Sequence, residues 1–500
     1  MSAMEPHVMV VTLPTQGHLA PLTSLAHFLA ASGIPVVLVR SARAHVLLQA
    51  ASNEAALSVF SAPPFASFPD LVNSTSKATI HIEIVADGLP TDPKQRLERG
   101  TILGSFDTIE KGVEELLEKR MVEKQLPKCL ILDSFFSNLG QRVAVKFRLP
   151  WMAFWAGSAS VFSLSYHIPK LLAKGYLPAK EEGAMDREID FIPGLSPIAV
   201  KDLPKGFNVE LDPENNPALP LIRNLFENVK QADRILVNSF FELERAVVQS
   251  LREAGLHLDM VGPLFMMHSL SSVSNHVTAA ASLLPEDTSC LTWLDKQQET
   301  SVLYVSFGSI APMEEHTLVD LAHALEASNV NFLWVIRPDC MSGKASLQQL
   351  LPEAFMEGMQ DRGCVVPWAP QLAVLGHRSI GAFLTHCGWN SVLESLSHGV
   401  PILGFPQDAE QNTNLRFVVK DWKVGLPLFS EKQQKEPCNR RSMCSQAECS
   451  IAEIMRGDVG TEARKHALEW RKAAVEACIS GSSLLNLQRI ANELITGHLA

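Results

Sequence analysis

The chain has no surplus of positive charge. Among its 500 residues, 43 Lys and Arg stand against 54 Asp and Glu, for a net charge of −11. Such a surface repels polyanions, which excludes nucleic acid as the main ligand. No CxxC pair occurs among the nine cysteines, and Cys438, Cys444 and Cys449, the closest set, have no His pair following at zinc-finger spacing. The thiols read as free groups of a reducing compartment, with no metal expected. Neither a P-loop pattern nor a GxGxxG is present, so P-loop and dinucleotide sites are poorly supported. Hydrolase chemistry lacks its GxSxG elbow around Ser158 or Ser309. Repeats and low-complexity tracts are missing as well. The apolar run 8–13 is too short for a signal-peptide core and no basic region precedes it. One stretch, 149–169, lacks Asp, Glu, Lys and Arg and is long enough to span a membrane. Gly157, four Ser, Tyr166 and His167 dilute it, so a buried strand, a turn and a helix are expected there. The chain reads as soluble and cytoplasmic.

What is present is an ordinary globular composition, 46% apolar and 19% charged, with mean hydropathy near zero. Its length exceeds what one core supports, so two domains are expected. Strand (8–13), helix (19–32, ended by Gly33) and strand (34–40) form a βαβ unit, hence a parallel sheet. The pattern returns at "CLILDSFF" (129–136) and "RILVNSF" (234–240). A second series runs through "SVLYVSFGS" (301–309), a helix (314–327), "FLWVIRP" (332–338), "CVVPWAP" (364–370), "IGAFLTH" (380–386) and "PILGFP" (401–406). Between the two series, 266–286 is rich in Ser and Ala and without strand character. The expected division is therefore an amino-terminal acceptor-side domain (1–265), a linker (266–286), a carboxyl-terminal nucleotide-side domain (287–475) and a last helix (476–500) packing back on the first domain. Both domains read as doubly wound α/β sheets facing across a cleft, with ligands outside the carboxyl ends of the strands. The segment 430–446 reads as a surface loop, and so does "DPENN" (212–216).

The stretch "FLTHCGWNSVLESLSHGVP" (383–401) puts polar groups where a strand gives way to a helix. A helix amino terminus there offers unpaired N–H groups and a positive dipole end, which suit a phosphate. Gly388 lets the backbone approach closely; His386, Asn390 and Ser391 add donors. Glu394 lies four residues beyond Asn390 on the same helix face and suits ribose hydroxyls. Each residue alone could be a cap or a satisfied core group; the set of five points to a diphosphate. Upstream, "WAPQ" (368–371) supplies Trp368 as a stacking platform for a base. Downstream, Asp408, Glu410 and Gln411 of "PQDAEQ" suit sugar hydroxyls. In the other domain, His18 of "PTQGHLAP" and Asp133 of "LILDSFF" each follow a strand. His18 taken alone is more often structural, and Asp133 could as readily cap a helix. If both strands end at the cleft, the two could meet as a base and its orienting carboxylate.

The segment from Trp368 to Gln411, "WAPQLAVLGHRSIGAFLTHCGWNSVLESLSHGVPILGFPQDAEQ", resembles the signature box of plant family 1 UDP-sugar-dependent glycosyltransferases. Similar segments, among them "CLTWLDKQQETSVLYVSFGS", "VNSFFELE", "VGPLF" and "GSSLLNL", extend the resemblance over most of the chain. It implies the GT-B fold of two Rossmann-like domains. It implies that Trp368 stacks on uracil within a "WAPQ" segment that includes Ala369, and that Gln371 and Glu394 hold ribose. His386, Asn390 and Ser391 would contact the phosphates, with Gly388 and Ser309 nearby; Trp389, Glu410 and Gln411 would face the sugar. His18 and Asp133 become the catalytic base and its partner. Trp389 and Gln411 accompany a preference for UDP-glucose. The resemblance thus implies inverting transfer to a hydroxyl of a small lipophilic acceptor such as a flavonoid, phenolic, terpenoid or hormone, with UDP-glucose as donor substrate, no metal, no membrane insertion and a monomeric enzyme. One position departs from the family. Many members carry Thr or Ser after the "FW" aromatic, touching the sugar's 6-hydroxyl; here Ala156 stands there, with Ser158 two residues on as a possible substitute.

Overall fold

The computed structural model describes residues 7–55, 78–90, 92, 99–207, 209–211, 218–270, 282–309, 314–337, 351, 355, 362–429 and 440–497. The segment "DPENN" lies outside them.

Continuous apolar runs fold as parallel strands covered on both faces. The first sheet holds β1 (Val8–Val11), β2 (Val36–Ser41), β3 (Ile80–Val85), β4 (Cys129–Asp133), β5 (Trp151–Trp155), β8 (Arg234–Val237) and β9 (Leu258–Met260). Its order is β3-β2-β1-β4-β5-β8-β9 and every pair is parallel. A small antiparallel pair, β6 (Glu188–Ile189) and β7 (Ile198–Ala199), stands beside it. The second sheet holds β10 (Val302–Ser306), β11 (Asn331–Val335), β12 (Gly363–Val366), β13 (Ile380–Thr385), β14 (Ile402–Gly404) and β15 (Gly425–Pro427). It is also parallel throughout, in the order β12-β11-β10-β13-β14-β15. Each order reverses once, between β1 and β4 and between β10 and β13. Ligands of doubly wound sheets bind at those reversals.

The stretch without charged residues folds as β5, a turn and the helix Ala159–Tyr166. Among the described residues, no helix is long and apolar enough to cross a membrane. Two boundaries differ from the sequence reading. The expected linker begins inside a helix, Leu264–Leu270, and 271–281 lie outside the described residues. The expected loop 430–446 is helical from Arg440, in a helix running to Arg456. Its buried Ala447, Ile451 and Ile454 recur at helical spacing and close the core over β14 and β15.

The last helix, Ser482–Thr496, returns to the edge of the first sheet. Ser483 Oγ donates to the Gly262 carbonyl at 2.6 Å and Asn486 Nδ2 to that of Met260 at 2.9 Å. Arg489 pairs with Asp259 at 2.7 Å and Glu493 with Arg234 at 3.0 Å. One apolar cluster runs from Val10 and Phe154 of the first sheet through Trp389 and Ile402 of the second to Leu487 of this helix. The two sheets thus share part of a core.

Candidate active site

Because β1 and β4 are adjacent and parallel, with Val11 opposite Leu132, their carboxyl ends bring the turn after β1 and Asp133 together. His18 sits in the first turn of the helix Gln16–Ala31. Its Nδ1 lies 2.7 Å from Asp133 Oδ2. The imidazole is 28% exposed while the carboxylate is fully buried. The other oxygen of Asp133 accepts the Phe135 N–H at 3.1 Å. Asp133 thus caps a turn through one oxygen and faces the imidazole through the other. Burial pulls the His18 pKa down, but the charge and hydrogen bond of Asp133 and the charge of Glu410 outweigh it, and the net shift is upward from 6.5. A proton on Nδ1, facing the carboxylate, leaves Nε2 as the acceptor that a base requires. The Phe135 ring stands edge-on to the imidazole at 5.6 Å, and Phe106 packs on Phe135 at 5.8 Å, giving the imidazole an aromatic wall.

Across from this pair, β13 ends at Thr385 and the helix Trp389–His398 begins. His386 lies in the turn between them, embraced by two glycines. A Cβ on Gly308 would stand 2.7 Å from the imidazole and one on Gly388 2.5 Å from its Nε2, so both positions demand the absence of a side chain. Burial, and then the nearby charge of Arg337, push the His386 pKa down to about 4. At neutral pH it is therefore an uncharged hydrogen-bonding group. Ser309 lies in the turn after β10, and its carbonyl accepts from Arg337. Asn390 Nδ2 donates to the Gly17 carbonyl at 2.8 Å, tying the first turn of this helix to the turn that carries His18.

Further along the helix, Ser391 and Glu394 share one partner. Gln371 Nε2 donates to Glu394 at 2.7 Å and lies 3.1 Å from Ser391 Oγ, while Gln371 Oε1 accepts from the Tyr304 hydroxyl at 3.2 Å. Burial pushes the Glu394 carboxyl up to about 7 against the opposing effect of that amide bond. Trp368 follows β12, half-buried, with Ala369 buried beside it. Its indole N–H donates to Ser282 Oγ at 3.0 Å, and its carbonyl accepts the Asp287 N–H at 2.9 Å. Leu283 in turn donates its N–H to Gln16 Oε1 at 2.8 Å. The end of the linker thus touches both the Trp368 indole and the turn that carries His18.

Glu410 and Gln411 follow β14 at the same edge. Gln411 Oε1 accepts the N–H groups of Gln407 at 2.7 Å and Asp408 at 2.9 Å, so its amide nitrogen is turned outward as a donor. The Glu410 charge is felt at His18 in the other domain. Two expectations are not met. The Trp389 side chain does not line the cleft: it is 4% exposed, and its N–H donates to the Asn238 carbonyl at 2.8 Å beneath the cleft. Ser158 does not stand in for the missing hydroxyl at Ala156. It is fully buried, and its Oγ accepts the Val161 N–H at 3.1 Å to cap the helix Ala159–Tyr166. Sequence reasoning missed Tyr304, which orients Gln371; a tyrosine hydroxyl in the middle of an apolar strand was the available signal. It also missed Ser282 and Asn238, whose partners are remote in sequence and leave no local signal. Among the described residues, no group of three or more His, Cys, Asp or Glu could hold a metal.

Comparison with known proteins agrees with this layout. A family model described as UDP-glucoronosyl and UDP-glucosyl transferase matches residues 26–434. UDP-glycosyltransferase 85A7 of Arabidopsis thaliana is 33% identical over 100% of this chain and 98% of its own length. A 7-deoxyloganetin glucosyltransferase of Gardenia jasminoides is 32% identical over 98% of each chain. The crystal structure of a UDP-glucose:anthocyanidin 3-O-glucosyltransferase in complex with UDP superposes with a TM-score of 0.77, at 26% identity over 99% of each chain.

Proposed function

The chain belongs to the UDP-glucoronosyl and UDP-glucosyl transferase family and is a glycosyltransferase with the GT-B fold, and we propose that it moves glucose from UDP-glucose to a hydroxyl of a small lipophilic metabolite, leaving a β-O-glucoside. The observation that carries this reading is the 2.7 Å His18–Asp133 pair standing across from the helix amino terminus at Trp389, with Asn390 bonded to Gly17 between them. His18 Nε2 takes the acceptor's hydroxyl proton, and Asp133 stabilises the resulting imidazolium. The acceptor oxygen bonds to the anomeric carbon as the bond to the diphosphate oxygen breaks, which inverts that centre. The departing charge meets the helix amino terminus and the 386–391 turn. Trp368 takes the uracil, Gln371 and Glu394 the ribose, His386, Asn390, Ser391 and Ser309 the phosphates, and Glu410 and Gln411 the sugar. The wall of Phe135 and Phe106 beside the base favours a flat aromatic acceptor, such as a flavonoid or phenolic, over a charged one. The same reading makes the enzyme a monomer of the cytoplasm, acting without a metal.

One observation favours a second donor: the buried methyl of Ala156, with Ser158 turned away, supports a site less selective for a 6-hydroxyl. UDP-xylose, which lacks that group, is then the alternative; UDP-galactose, which keeps it and differs from UDP-glucose at C4, is a further donor that this observation does not favour. A screen of these donors against flavonoid, phenolic, terpenoid and hormone acceptors, followed by UDP release and by the anomeric coupling of the product, tests both readings. His18→Ala is expected to lower turnover by about 10²- to 10⁴-fold with UDP affinity little changed. An α-linked product, or turnover of His18→Ala near wild type, removes the mechanism. UDP-sugar binding without transfer to any acceptor would leave a nucleotide-sugar binding protein.

A further inference from the structure

The first domain sends one segment, 196–205, along the outer edge of the second. The Pro197 carbonyl accepts from Arg416 at 2.6 Å and that of Asp202 from Thr413 at 2.6 Å. The segment ends at Lys205, which is exposed and opens a short turn, Lys205–Phe207. Lys205 makes two bonds to the stretch between β14 and the helix Gln411–Arg416. Its backbone N–H donates to the Ala409 carbonyl at 2.7 Å. Its Nζ donates to the Gln407 carbonyl at 2.8 Å.

The second bond falls on a particular peptide unit. The carbonyl of Gln407 and the N–H of Asp408 belong to one planar amide, since the peptide bond joins them. The carbonyl end is held by the Lys205 ammonium, and the N–H end donates to Gln411 Oε1 at 2.9 Å. A cation on the carbonyl polarises the amide and strengthens the bond its N–H donates. The peptide unit before it donates to the same oxygen through the Gln407 N–H at 2.7 Å. With both bonds made, the Gln411 amide cannot flip: oxygen faces the loop and nitrogen faces out. The loop needs such an external hold, because Ala409 adopts a left-handed conformation, φ 54°, that a non-glycine residue takes at a cost.

We propose that Lys205 of the acceptor-side domain is a positioning residue for the donor sugar: it fixes the 407–409 turn so that Gln411 presents its amide N–H groups to sugar hydroxyls. The proposal rests on the reading of Glu410 and Gln411 as the sugar-facing pair. It makes donor recognition a joint property of both domains. A substitution in an acceptor-side loop then changes the sugar step without touching the nucleotide pocket.

The test needs no acceptor. Dissociation constants for UDP-glucose and for UDP are measured by calorimetry on the full chain and on Lys205→Met, Lys205→Arg and Gln411→Leu. Lys205→Met keeps the backbone bond and the stem of the side chain but loses the ammonium. It is expected to weaken UDP-glucose about fivefold while UDP changes less than about twofold, with Lys205→Arg recovering most of the loss. Gln411→Leu should weaken UDP-glucose by at least as much. If Lys205→Met binds UDP-glucose like wild type while Gln411→Leu does not, Lys205 has no part in sugar recognition. A parallel loss of UDP affinity would also overturn the proposal, because Lys205 would then act only on how the domains pack. If Gln411→Leu itself binds UDP-glucose normally, the sugar-facing reading of the loop fails and the proposal falls with it.

Discussion

Replacing Asp133 by Asn changes one atom of a buried group and removes one charge. The geometry around that atom determines the outcome. Asp133 is fully buried, lies 2.7 Å from His18 Nδ1, and accepts the Phe135 N–H through its other oxygen. An amide can keep the Phe135 bond with its oxygen, but then it turns N–H donors toward Nδ1. His18 must answer by carrying its proton on Nε2, the atom that has to be free to act as base. Loss of a positioned general base costs about 10²- to 10⁴-fold in turnover. A second signature separates this account from simple damage. Three influences set the His18 pKa: burial, the largest, lowers it; Asp133 and Glu410 raise it. Without Asp133, burial exceeds what Glu410 returns, so the pKa drops below 6.5 instead of lying above it. The base must be neutral to work, so the acidic limb of kcat/KM lies above the ordinary histidine value in wild type and moves to lower pH in the variant. Profiles of UDP release between about pH 5 and 9 measure it, with a thermal melt to confirm folding. A limb that stays in place, or turnover within about threefold of wild type, would refute the pairing.

Three further outcomes are expected. Gly308→Ala places a methyl 2.7 Å from the His386 imidazole and must displace it; the KM for the UDP-sugar should rise about tenfold, and an unchanged KM would mean that His386 does not contact the donor. Glu394, held up to about 7 by burial, binds ribose hydroxyls best as the anion. UDP affinity, measured by calorimetry, should therefore strengthen as pH rises through about 7, and Glu394→Gln should flatten that dependence. Linkage gives the opposite slope for the empty protein: a carboxyl raised from 4.5 adds stability that is full below pH 4.5 and lost as pH passes about 7. Turnover should persist in excess EDTA, since the helix amino terminus and the 386–391 turn meet the diphosphate; strict metal dependence would overturn the proposed leaving-group stabilisation.

Most strands were legible because parallel sheets bury both faces, so these strands are apolar runs with no alternation to misread; 8–13 became Val8–Val11 and 129–136 became Cys129–Asp133, while the edge strand β3, with His81 and Glu83 between its isoleucines, was not read. The candidate site residues near them could be picked out because ligands bind where such strands end. What failed was orientation. Trp368 and Trp389 both follow a strand of the second sheet, yet one half-exposed indole bonds to Ser282 while the other is buried against Asn238. The difference lies in partners 86 and 151 residues away, and local sequence carries no trace of them. The helix Arg440–Arg456 is the reverse case. The segment read as a loop stops at 446, and the Ala447, Ile451 and Ile454 that carry the helical period lie beyond it, so its polar residues alone gave no sign of the helix.

Several of the bonds that join the two domains share a chemical form. Asn390 donates to the carbonyl of Gly17, Trp389 to that of Asn238, Thr413 to that of Asp202 and Arg416 to that of Pro197, while Lys205 donates to those of Gln407 and Ala409. Each acceptor is a main-chain group, present whatever the side chain. Lys205 apart, whose own side chain is the donor, the second domain therefore grips the first at carbonyls that substitution of acceptor-side side chains does not remove. A displacement reaction needs base, anomeric carbon and leaving group aligned, and small errors in that alignment are costly. Alignment set by carbonyls survives changes in the side chains that line the acceptor pocket. The acceptor loops are then free to diverge around a fixed donor geometry, as long as the chain path through Gly17, Pro197, Asp202 and Asn238 is kept. A substitution that bends that path, such as proline near 202 or 238, should damage transfer to every acceptor alike, whereas a side-chain change at Phe106 or Phe135 should shift which acceptors are used.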